Sequence, residues 1–118
     1  MSIYFETPEG TTLWNPSQNV GTAYVGFLRV IEDALGEASG VSDVISDEVT
    51  VETEVLLAFV EAMMSVHQTG HNVLAIQVEG ILVLSLALLN QAGVSVTPSE
   101  FNTDIVQRAI TLSEALPA

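Results

Sequence analysis

The side chains best suited to chemistry are His67, His71 and Glu79. The stretch "HQTGH" sets its histidines four apart, the spacing of two ligands on one helix face, and Glu79 follows two turns later. Two histidines and a carboxylate form a known metal-binding arrangement. Gly70 sits between them, however, so the histidines straddle a corner between helices. Neither an HExxH pattern nor a Glu-x-x-His pair occurs. The expectation is therefore no metal and no cofactor. His67 is read as a helix-end residue, favourable there as a cation, and His71 as a cap or loop residue.

Glu79 lies inside "HNVLAIQVEGILVLSLALL", the most apolar stretch of the chain. A carboxylate in such surroundings raises its pKa, finds a partner or faces water. Its cationic candidates are Arg29, Arg108, His67 and His71. A structural ion pair between Arg29 and Glu79 is expected, beside two other readings: an exposed Glu79, or Glu79 as a general acid or base in a pocket. Any catalytic residue is expected among Glu79, His67 and His71; on balance the chain reads as a non-enzyme. No nucleophile elbow, phosphate-binding glycine loop or nucleotide fingerprint occurs. An acyl carrier's Asp-Ser-Leu attachment motif is also missing.

These residues need elements to position them. In 118 residues there are 15 acids, two arginines, no lysine and no cysteine, for a net charge of −13. One domain, 1–118, is expected. Disulfides and thiolate sites are excluded. The negative field disfavours nucleic acid and anionic membrane surfaces. The apolar run 73–89 contains Gln77, Glu79, Gly80 and Ser85 and has no basic flanks, so it reads as a buried helix rather than a membrane span. The first residues lack the basic and apolar regions of a signal peptide, and a cytoplasmic location is expected.

The expected fold is mainly α, of the α+β class: a short β-hairpin over 1–14, then a four-helix bundle over 16–116 around a central apolar third helix. "IYFE" and "TTLW" flank the turn "TPEG". Asn15 or Ser17 caps a first helix that ends at Gly36. Its apolar stripe is Val20, Tyr24, Phe27, Leu28, Ile31 and Leu35. Residues 36–50 read as an acidic loop, and Thr50 as the cap of a second helix carrying Leu56, Phe59, Val60, Met63, Met64 and His67. The third helix ends at Gly93. "TPSE" at 97–100 reads as a capping box that opens a fourth helix lined by Phe101, Ile105, Ala109, Leu112 and Leu116, with Asp104 and Arg108 paired one turn apart.

"TTLWNPSQN", then an acidic loop, "HQTGH" and "VEG", resembles small actinobacterial proteins grouped as a domain of unknown function. The resemblance spans most of the chain and implies no activity. It implies a bacterial accessory protein.

Two functional expectations follow. The first is a small acidic regulatory module of immunity- or inhibitor-like type, binding a more basic protein through Asp43, Asp47, Glu48 and Glu52, with Trp14 as a recognition aromatic. Trp14 has a structural alternative, packing against the first helical turn. The second is a small enzyme or small-molecule binder with an inter-helix pocket around Glu79, His67 and His71. Four helices of unequal polarity also lead one to expect a homodimer.

Overall fold

A computed structural model describes residues 1–69, 72–97 and 102–116. Four helices carry a small three-stranded sheet at the N-terminal side. Strands β1 (Tyr4–Glu6) and β2 (Thr12–Trp14) form the expected antiparallel hairpin, with Phe5 opposite Trp14. Helix α1 (Gln18–Leu35) then crosses over, and β3 (Glu48–Thr50) returns parallel to β1 with Phe5 beside Val49. A parallel pair needs such a helical crossover. Strand β3 corrects the reading of 36–50 as loop throughout. It also places Thr50 in the sheet, so helix α2 (Thr53–Thr69) begins two residues later than a cap at Thr50 implies.

Local chemistry explains the helix ends. Ser17, not Asn15, caps α1: its hydroxyl accepts from the Val20 N–H at 3.4 Å. Asn15 leaves Oδ1 buried with no hydrogen-bond partner among the described residues. At the other end Gly36 takes a left-handed φ of 68° and donates its N–H to the Glu32 carbonyl. Helix α3 runs Asn72–Gln91 and helix α4 Thr103–Ala115. The expected stop at Gly70 and most of the expected capping box, with Pro98, Glu100 and Phe101, lie outside the described residues.

The core joins the sheet to all four helices. Phe5, Trp14 and Tyr24 pack as an aromatic trio, with Trp14 edge-on to Tyr24 at 5.7 Å between centroids. The Tyr24 hydroxyl and Ser85 hydroxyl share a buried hydrogen bond of 2.7 Å that ties α1 to α3. Burial, only partly offset by that bond, pushes the Tyr24 phenol above its ordinary pKa. Helix α3 packs chiefly against α2 and α4 and more lightly against α1 and β2. It is central along its later turns, where Leu82, Val83 and Leu86 through Leu89 are buried. Earlier on α3, Val73 and Ile76 face solvent. The α1 stripe divides in the same way. Tyr24, Leu28 and Ile31 turn inward with Gly21 and Val25, whereas Val20 and Phe27 are exposed, contrary to expectation.

Candidate functional site

Three arrangements bring charged or polar side chains together. The first answers the question of Glu79. Successive turns of α3 and α4 pack together and set Glu79 against Arg108, whose guanidinium donates to Glu79 Oε1. Asp104, one turn before Arg108, adds a second carboxylate at 3.9 Å, as its i,i+4 spacing predicts. His67, near the end of α2, reaches to 4.0 Å from Glu79 Oε2. Glu79 is thus half-buried, with the Arg108 guanidinium on one oxygen and the His67 imidazole near the other. Two of the three candidate catalytic residues, His67 and Glu79, come together here. The third, His71, lies outside the described residues. Among the described residues no group of three or more His, Cys, Asp or Glu side chains is arranged to hold a metal ion.

The expected Arg29–Glu79 pair does not form. Arg29 leans from α1 onto the segment that follows the helix instead. Nη1 donates to Glu32 Oε1 at 3.0 Å, Nη2 to the Val41 carbonyl at 2.7 Å, and Nη2 and Nε both to Asp43 Oδ1. Glu32 Oε2 accepts from both the N–H and the hydroxyl of Ser39, at 2.8 and 2.7 Å. Burial opposes charge on both groups, but these hydrogen bonds outweigh it. Arg29 is held above and Glu32 below its ordinary pKa. The physical reason for the correction is proximity. Arg29 finds two carboxylates and a free carbonyl within its own element and the next, while α4 supplies a nearer cation to Glu79.

This Arg29 brace fixes the third arrangement, an acidic hairpin over residues 41–52. Ser42 N–H donates to the Thr50 carbonyl, Thr50 N–H to the Ser42 hydroxyl, and Ile45 and Glu48 exchange both backbone hydrogen bonds. The two-residue tip, Ser46 and Asp47, takes positive φ at both positions (53° and 62°). That is the signature of a hairpin turn whose twist suits the flanking strands, usually built from Asn and Gly. Gly40 seats the hairpin on α2. Its φ is +76°, and a Cβ there would lie 2.7 Å from Val55 Cβ and 2.8 Å from the Glu52 carbonyl oxygen. Period-2 alternation buries Val49 and Val51 and exposes Glu48, Thr50 and Glu52. Asp43 is also exposed, though bound to Arg29. A shallow groove runs beneath, between Arg29, Glu32, Asp43, Glu52 and Val55.

Trp14, expected as a recognition aromatic, is only 4% exposed. It is a core residue packed between Phe5 and Tyr24, not a surface aromatic. Sequence reasoning did not find the Arg29–Glu32–Ser39 brace. The one signal was the i,i+3 spacing of Arg29 and Glu32.

No helix among the described residues is long and apolar enough to cross a membrane. Residues 1–118 match a family of unknown function, DUF6086, and the chain belongs to that family. No curated protein and no solved structure matches it.

Proposed function

We propose that this chain is a small acidic protein-binding module that docks on a more basic protein, in the manner of an immunity protein or inhibitor, and that it works as a homo-oligomer in the bacterial cytoplasm. We infer an actinobacterial setting from the resemblance carried by "TTLWNPSQN", "HQTGH" and "VEG". One observation carries the reading. Both arginines are consumed by internal carboxylates, while the hairpin 41–52 exposes Glu48 and Glu52 and half-exposes Asp47, with no cation within 4 Å of the three among the described residues. An uncompensated acidic edge on a braced hairpin steers a positive partner and fixes its orientation. Asp43 is held by Arg29 and serves the brace more than the contact.

The test is association kinetics with the partner captured from the native host. Reversing Asp47, Glu48 and Glu52 to Lys slows association at low salt by about tenfold or more. An unchanged rate sinks the reading.

A second reading has its own observation, the convergence of His67 and Glu79 with Arg108. An imidazole and a carboxylate 4.0 Å apart can work on a group bound between them, which suits a small-molecule ligand or an acid–base step. If a ligand found by screening binds Glu79→Gln and His67→Ala as tightly as the parent, this second reading fails.

A further inference from the structure

A second face of the molecule has the opposite character to the acidic hairpin. On α1, Val20, Ala23, Phe27, Val30 and Ala34 all face solvent. Their spacing alternates three and four, the pattern of a helix seam that packs on another helix, and they are separate from the stripe that α1 buries in the core. Val30 is 67% exposed and Phe27 56%. On the first turns of α3, Val73 and Ile76 are also exposed, by 69% and 71%. Between the two helices lies an open apolar groove of about 390 Å³, walled by Phe27, Val30 and Ala34 on one side and by Gln77, Val78 and Ile81 on the other.

We infer that this α1–α3 face is where two copies of the chain meet. The inference rests on the homo-oligomer part of the proposed function and is independent of the basic partner. Charge is the first argument for a second copy. Each copy carries −13, so two copies can approach closely only where neither presents a carboxylate. None of the α1 and α3 residues of this face is ionisable. A basic partner is drawn to the acidic hairpin and gains no electrostatic attraction from an uncharged face.

Shape is the second argument. A two-fold interface must be complementary to itself. Here one face offers both a ridge, Phe27 and Val30, and a groove beside it, so each copy's ridge can fill the other's groove.

Area is the third. The exposed large side chains present on the order of 500 Å² of apolar surface, near the upper end for a lone soluble domain. With the neighbouring alanines and Gln77, the face approaches the roughly 800 Å² that each partner gives to a standard interface.

The glycines agree. Gly26 and Gly80 lie within helices beside this face, where a Cβ would meet nothing within 4 Å. Each costs its helix about 1 kcal/mol against Ala, with no return from packing inside one copy. Close approach of a second backbone supplies that return.

Sedimentation of the full chain over a wide concentration range tests the inference. The parent chain dimerises, and Phe27→Glu and Ile76→Glu each raise the dimer dissociation constant by about tenfold or more. Glu48→Lys does not raise it. Circular dichroism checks that the variants keep their helices, as expected at solvent-facing positions. A parent chain that stays monomeric at every concentration overturns both the inference and the homo-oligomer reading. A dimer indifferent to both substitutions overturns the assignment of this face alone. Because the chain has no cysteine, single spin labels at Val30→Cys and Thr111→Cys give a measurement that disrupts no core contact. The inter-copy distance is expected to be shorter at residue 30 than on α4, and the reverse order overturns the assignment.

Discussion

Glu32 shows how much one carboxylate can do in this chain. It joins α1 to the next segment through Arg29 on one oxygen and Ser39 on the other. Its folded pKa lies below the ordinary value, so the folded state favours its charged form. That stability is fully present above the ordinary carboxylate range. It is lost as pH falls through the lowered folded value. Glu32→Gln keeps the size but loses the charge-assisted bonds, and is expected to cost roughly 1–3 kcal/mol near neutral pH. Below the folded pKa the parent and the variant converge. Urea unfolding at a series of pH values checks this, and two curves that stay parallel into acid count against it. The sequence made the Asp104–Arg108 pair legible because both ends lie on one helix and the spacing decides it. It narrowed the partners of Glu79 to four cations and favoured Arg29, whereas the partner is Arg108. That choice belongs to the packing of α3 on α4, which no local spacing encodes.

At the scale of elements, helix α1 was legible because it has an apolar period, a cap at Ser17 and a stop at Gly36. Strand β3 was not. Three residues with one buried Val give too short a pattern, and what makes them a strand is β1 alongside. The inward stripe of α1 was blurred for a related reason. Val20 and Phe27 continue the apolar period around the helix, and only the neighbours that cover Tyr24 and Leu28 distinguish inside from outside. The turn at Ser46 and Asp47 carries the clearest local strain, two non-glycine residues in left-handed backbone. Asp47→Gly is expected to stabilise the fold by about 0.5–1 kcal/mol, because Gly adopts that φ at no steric cost. It also removes a carboxylate from the proposed contact. Thermal unfolding should therefore rise while association with a basic partner slows. A fall in stability refutes the strain account, since the Tyr4 N–H to Asp47 carbonyl bond survives the change.

For the whole molecule, the governing quantity is the net charge of −13 set against so few internal cations. Screening has two opposed effects on the fold. It weakens the pairs at Arg29 and Arg108, and it relieves repulsion among the remaining carboxylates. The pairs are partly exposed, so each contributes no more than about 1 kcal/mol. The repulsion is spread over most of the acids and outweighs them. Raising salt from about 0.01 to about 1 M shortens the Debye length from about 30 to about 3 Å. The melting temperature is expected to rise over that range, by several degrees for each kcal/mol of repulsion removed. The same field gives the two proposed surfaces opposite salt responses. Association of two like-charged copies through the apolar α1–α3 face tightens with salt, whereas docking of a basic protein on the acidic hairpin weakens. Calorimetry and sedimentation along one salt series read all three trends. A melting temperature that falls as salt is added would show that the arginine braces, not the repulsion between unpaired acids, dominate the electrostatics of this fold.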